Sequence, residues 1–233
     1  GFSQVITWMA ASLDIRLSHP VAALRPGRVT LADGQTFEAD RILVTVPLGV
    51  LQSGKISFGK PLEAQRTKAI ESLRMGLLNK CWLRFDKVAW PEDADWIEWL
   101  GPRPGEWAEW LSLARVLKAP LLLGFNAADA ARALESRSDD ETVAEATEAL
   151  RAMFGNDFPT PVGAQISRWA QDPHALGAYS FNAVGTSGKT RAALAGPDWD
   201  GALWFAGEAC EPDYFGTTHG AVLSGRAVAV AMG

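Results

Sequence analysis

The sequence predicts a mixed α/β protein of two interleaved domains, and three observations carry that expectation. Short β-rich runs precede a long, strongly capped helix beginning near Ser138, and the chain closes on one further strand and one further helix. With 233 residues, 48% apolar and 21% charged, there is material for one large core or two modest ones. No segment repeats and none is of low complexity. The order of elements places residues 1–50 and 196–233 in one discontinuous domain, with 51–195 inserted as a sheet-and-helix domain.

Each element has a local cause. Val5, Ile6, Met9, Ala10 and Leu13 recur at helical spacing over residues 4–13, with Ser3 as the cap. Arg28–Leu31 and Gln35–Asp40 flank an Asp33-Gly34 turn and read as paired strands, followed by a buried strand from Ile42 to Val46 that Pro47 halts. Leu62–Leu73 is helical, Gly76 breaks the pattern, and Leu77–Phe85 alternates as a strand. Trp90, Trp96, Trp99, Trp107 and Trp110 lie among Pro and Gly, which fits a twisted antiparallel sheet packed by indoles better than an aromatic binding wall. Leu121–Phe125 continues that sheet. Ser138-Asp-Asp-Glu141 is a capping box for a helix carrying Val143, Ala146, Leu150 and Phe154, which Gly155 ends. Pro159, Pro161 and Gly163 lead into a strand from Ala164 to Trp169.

The last 32 residues are the most informative. An apolar run containing Trp204 and Phe205 reads as a buried strand stopping at Gly207-Glu208. Thr217 or Thr218 then caps a helix through Ala221, Val222, Gly225 and Ala229. The start of such a helix offers unpaired N–H groups and a positive dipole end, suited to a pyrophosphate or to an electron-rich ring.

Several functions are disfavoured. A net charge of −5 gives no basic field for nucleic acid. No apolar run is long enough to span a bilayer and the first residues lack a secretory leader's pattern, so the expected location is cytoplasmic, with no membrane partner. Cys81 and Cys210 form no disulfide framework and are expected as buried thiols, while His19 and His174 have no metal-ligand spacing. Ala183-Val-Gly-Thr-Ser-Gly188-Lys189-Thr190 imitates a phosphate-binding loop, but too few strands follow for a nucleotide triphosphatase, and a flexible loop is the plainer expectation. No G-x-G-x-x-G is present, so half of a dinucleotide site is missing.

Phe205-Ala-Gly-Glu208, Gly216-Thr-Thr-His-Gly220-Ala and Ser224-Gly225 resemble the C-terminal signature of the flavin-containing amine oxidases, the group of monoamine oxidases, polyamine oxidases and lysine-specific histone demethylases. The resemblance continues through Asp40–Leu51, Met75-Gly-Leu-Leu-Asn-Lys80, Ser167-Arg-Trp169 with Asp172-Pro173, and Gly177-Ala-Tyr179-Ser, in the family's order. It implies the C-terminal part of an FAD-binding, Rossmann-like domain plus an inserted substrate domain of mixed and antiparallel sheet with helices.

That resemblance also implies roles. Lys80 matches the lysine that holds a water near flavin N5, although a lysine on a strand is ordinarily a solvated-face residue. Trp169 and Tyr179 match aromatic positions beside the flavin, and Thr217 stands where monoamine oxidases have a second tyrosine, implying a more open substrate pocket. Gly207, Glu208, Gly216, Thr217, Thr218 and Ala221 fall in the cofactor signature, and Val21 matches a residue whose backbone pairs with adenine. Ala178 stands at the cysteine that carries covalent flavin in monoamine oxidases, implying non-covalent FAD. His219 is expected to be structural. The implied partner is a small-molecule amine, and the missing N-terminal half implies a second segment or self-association.

Overall fold

The computed structural model describes residues 2–233. It opens with α1 (Phe2–Met9), then β1 (Val21–Arg25), β2 (Arg28–Leu31), β3 (Thr36–Glu38), β4 (Ile42–Val44), α2 (Leu48–Gln52), β5 (Ser57–Phe58) and α3 (Ala64–Ser72). The middle of the chain forms β6 (Arg74–Gly76), β7 (Leu78–Arg84), β8 (Trp96–Glu98), β9 (Glu109–Ser112), α4 (Ala114–Leu117), β10 (Leu121–Ala127), α5 (Ala128–Glu135), α6 (Asp139–Phe154) and β11 (Gly163–Ile166). It closes with β12 (Tyr179–Phe181), α7 (Gly188–Leu194), β13 (Gly196–Asp198), β14 (Leu203–Phe205) and α8 (Thr218–Met232).

Four sheets result, in the orders β3-β2-β1-β5, β11-β7-β10-β9-β8, β12-β6 and β13-β14-β4. The five-stranded sheet is antiparallel throughout and backed by α6. Its core holds Cys81, Leu83, Trp90, Trp107, Trp110 and Leu150, so three of the five indoles in the Trp-rich stretch pack inside, as alternation required. Trp107 stacks on Trp110 at 5.5 Å, and Phe85 meets Trp90 edge to face.

A second core joins Leu24, Ile42, Val44, Leu48, Ile70, Leu73, Leu194, Leu203 and Phe205. It therefore includes β5 and α3, which the order of elements alone assigned to the inserted segment. Arg66 is the reason α3 packs there. Its guanidinium, 2% exposed, donates to Asp198 Oδ2 at 2.8 Å and to the carbonyls of Leu194, Ala195 and Pro197, while lying over the Phe205 ring.

Some expectations shift. The first helix starts at Phe2 rather than after Ser3, whose carbonyl accepts from the Thr7 hydroxyl within the helix, and all its apolar side chains stand in solvent. The expected strand ending at Trp169 stops at Ile166, where the Ser167 hydroxyl takes the place of a backbone carbonyl in accepting from the Lys80 N–H. The segment expected as a flexible loop contains α7, started where Thr190 Oγ1 accepts from the Ser187 N–H. Pro47 does more than halt β4, since α2 begins directly after it. The capping box at Ser138 and Glu141 forms as expected. No helix among the described residues is long and apolar enough to cross a membrane.

Candidate functional site

Strands β4 and β14 run parallel, with Ile42, Leu43 and Val44 opposite Leu203, Trp204 and Phe205. Ligands of open α/β sheets collect beyond the carboxyl ends of such strands. Here those ends, Thr45-Val46-Pro47 and Ala206-Gly207-Glu208, open into a cavity of ≈ 400 Å³. Leu48 and Leu51 of α2 close one side, Ala221 and Gly225 of α8 another, and Met75 of β6 with Trp169, Ala175, Gly177 and Ala178 of the segment before β12 complete the wall.

The cavity exists partly because small residues line it. Gly207 adopts φ 138° and ψ 177°, a backbone shape open essentially to glycine alone, and its N–H donates to Ser224 Oγ at 3.2 Å, tying the end of β14 to α8. A methyl group built on Gly225 meets nothing within 4 Å. The space these residues leave is walled by aliphatic and aromatic side chains, a thiol and backbone, with Glu208 the sole carboxylate and no Lys or Arg among its lining residues. Such a wall suits a flat, largely apolar ring system. It does not supply cations for phosphate groups.

Electrostatics around the cavity are organised by Glu208. Its carboxylate accepts from Ser180 N–H at 3.0 Å, Ser180 Oγ at 2.7 Å and Gly216 N–H at 2.7 Å. Arg191, fully buried, donates to Ser180 Oγ at 2.7 Å, Ala209 C=O at 3.2 Å and Asn182 Oδ1 at 2.8 Å, and lies 3.9 Å from the Phe215 ring centroid. Burial lowers the Arg191 pKa and the nearby Glu208 charge opposes that shift. Burial also pushes the Cys210 thiol, part of the cavity wall, up to about 12.

Trp169, Gly207, Glu208 and Ala221 thus line the cavity, as does Ala178. Tyr179, Gly216, Thr217 and Thr218 lie outside its wall. Tyr179 sits opposite Gly76 in β12, and its ring would lie 3.5 Å from a methyl group on Gly216. Thr217 caps α8: its Oγ1 accepts from Gly220 N–H at 3.0 Å and donates to Tyr214 C=O at 2.6 Å. Among the described residues, the amides of Thr218 and His219 meet no protein acceptor. Val21 opens β1 opposite Leu31, packed partly against the core and away from the cavity. Lys80 lies in the middle of β7 opposite Phe125, half-buried, and is not part of this wall.

Sequence reasoning passed over Thr45, Pro47, Met75 and Ala175 in the wall, and Ser180 and Arg191 behind it. Thr45, Pro47, Met75 and Ser180 lie inside the segments that carry the family resemblance, so proximity is their signal. Arg191 lay just past the phosphate-loop look-alike and carried none.

The family model "Flavin containing amine oxidoreductase" matches residues 1–233. Polyamine oxidase 4 of Oryza sativa subsp. japonica is 36% identical over 233 residues, covering 98% of this chain and 47% of the relative. Lysine-specific histone demethylase 1 homolog 1 of Arabidopsis thaliana is 38% identical over 226 residues, covering 93% of this chain and 27% of the relative. Among solved structures, a putrescine oxidase variant from a redesign of cofactor binding shares the fold, with TM-score 0.82 at 20% identity over 100% of this chain and 52% of that one. The chain spans about half the length of the polyamine oxidase it matches, and less of the demethylase.

Proposed function

Because the chain belongs to the flavin-containing amine oxidoreductases, we propose that it is the C-terminal portion of an FAD-dependent amine oxidase. The complete protein would oxidise a C–N bond to an imine, which water hydrolyses, and return the electrons to oxygen as peroxide. The observation that carries this reading is the apolar cavity at the carboxyl ends of β4 and β14, whose wall includes Trp169, Ala178, Gly207, Glu208 and Ala221.

Bound there, FAD would supply the hydride acceptor, and every other contribution comes from protein groups. Gly207, Ala221 and Gly225 leave room for the ring system, while Met75 and Trp169 exclude water from one side of it. The start of α8 directs its positive dipole end and the Thr218 and His219 amides toward negative charge. Ala178 offers no thiol, in keeping with non-covalent binding. Lys80 is assigned the task of holding a water or a proton between the lobes once the remaining half of the protein is in place. Val21 and Tyr179 are assigned the adenine and the substrate side.

Two rival readings share this tail: a flavin desaturase or protoporphyrinogen-oxidase-like enzyme, and a non-catalytic segment that completes another chain's flavin site. The second draws support from a wall without Lys or Arg and a sequence without G-x-G-x-x-G, so the chain by itself is expected to bind FAD weakly. The test is anaerobic flavin bleaching and aerobic peroxide release by the complete protein with amines. Bleaching with peroxide supports the oxidase, and a flavin-loaded protein that no amine reduces sides with the rivals. Lys80→Met is expected to slow turnover or flavin reoxidation strongly with the fold intact, and unchanged kinetics would remove Lys80 from the site.

A further inference from the structure

We propose that Asn79 and Glu135 form a buried strut that sets Trp169 and Lys80 in one mutual position, making both of them positioning residues for the oxidase reaction. The inference rests on the proposed function above. Asn79 is 5% exposed and Glu135 8%, on β7 and at the end of α5. Asn79 Nδ2 donates to Glu135 Oε1 at 2.8 Å. On its other side, Asn79 Oδ1 accepts from the Trp169 N–H at 3.2 Å and from Ser167 Oγ at 3.3 Å. Ser167 Oγ in turn accepts from the Lys80 N–H at 2.8 Å. Glu135 Oε1 also accepts from the Ala170 N–H at 2.9 Å, the residue after Trp169.

This arrangement uses both ends of one amide. The NH2 end anchors to a carboxylate and the C=O end holds the turn bearing Trp169, a division of labour that neither Asp nor Leu can supply. Among the described residues Glu135 has no ion pair, so its buried charge is met by amide donors whose geometry it fixes. Trp169 C=O then accepts from Gly177 N–H at 2.9 Å, carrying the registration to Gly177 and Ala178 in the cavity wall. The space enclosed beside Asn79, Glu135 and Ser167 is only ≈ 10 Å³, which leaves no room for a ligand larger than water and marks the cluster as framework.

Three variants of the complete, flavin-loaded protein test the strut. Asn79→Asp sets two carboxylates against each other and is expected to slow flavin reduction by an amine about tenfold or more, with faster hydrogen exchange at the Trp169 and Lys80 amides. Combining Asn79→Asp with Glu135→Gln reverses the polarity of the pair while giving up the Ala170 N–H bond that Glu135 Oε1 also accepts, and is expected to bring flavin reduction and exchange at Trp169 and Lys80 back to within about threefold of the parent, with exchange at Ala170 still raised. Ser167→Ala cuts only the Lys80 branch, so exchange rises at Lys80 and not at Trp169. It keeps the proposal open to refutation if Asn79→Asp does not fold. Rescue of rate and exchange together, or branch-specific exchange in Ser167→Ala, supports the strut. Parental exchange and rate in the single variants, or a double variant that recovers melting temperature but neither readout, overturns it. A parent that no amine reduces overturns the positioning role together with the proposed function. Exchange, read without flavin as well, then shows whether the strut itself exists.

Discussion

Glu208→Ala separates two roles that its place in the signature confounds. The resemblance assigned the carboxylate to the cofactor, yet in the structure it accepts two hydrogen bonds from Ser180 and one from Gly216. Bonds to a charged acceptor contribute roughly 1.5–3 kcal/mol each, and because Glu208 is only half-buried, water entering the vacated space reduces the loss to about 1 kcal/mol per bond. The expected local cost is therefore about 3 kcal/mol, on the order of a hundredfold in the opening equilibrium of the Gly216 turn and the start of β12. Hydrogen exchange at the Ser180 and Gly216 amides measures that opening in the complete protein. Glu208→Gln, which keeps one acceptor oxygen, should fall between parent and alanine variant. If exchange at both amides stays parental while flavin affinity falls, the carboxylate serves the ligand and the reasoning from its internal bonds is refuted.

Arg66→Met should destabilise by about 3–5 kcal/mol in urea unfolding, because it strips a buried partner from Asp198 and three carbonyls at once; a loss under about 1 kcal/mol would contradict it. Burial pushes the Cys81 and Cys210 thiols up to about 12, above the 9.0 of a free thiol. The unfolded chain therefore loses those protons first, and stability, full below pH 9, should fall by about 1.4 kcal/mol per thiol for each pH unit from there toward 12. Replacing both thiols by Ala and finding the same alkaline slope would show that other groups cause it. Ala178→Cys in the complete protein puts a second thiol into the cavity wall, beside that of Cys210, and acid precipitation should then retain flavin with the pellet of the variant and not of the parent, whereas a colourless pellet would place the ring elsewhere.

Much of the frame was legible where a residue's cause lies within a few positions. Ser138 and Glu141 cap each other across three residues, Thr217 caps α8 through Gly220 N–H, and the runs at 42–44 and 203–205 bury Ile42, Val44, Leu203 and Phe205. What escaped has distant causes. Helix α5 starts from Ala127 without a side-chain cap, and α7 hides among small residues. Asn79 and Glu135 are 56 positions apart, so nothing near either announces the bond between them. Glu208 reads as a ligand residue until Ser180 is seen against it. Four of the eight residues assigned to the cofactor line the cavity: Trp169, Gly207, Glu208 and Ala221. The remaining four lie outside that wall, because order along the chain does not reveal which side chain the fold turns inward.

The pairing of β4 with β14 has a consequence during synthesis. Ile42 leaves the ribosome about 160 positions before its neighbour Leu203, an interval of roughly ten to thirty seconds at about 5–20 residues per second. Through that interval an apolar strand waits without the neighbour that covers its edge, a natural client for a chaperone, and a message cut short within it yields a polypeptide whose β4 never finds its mate.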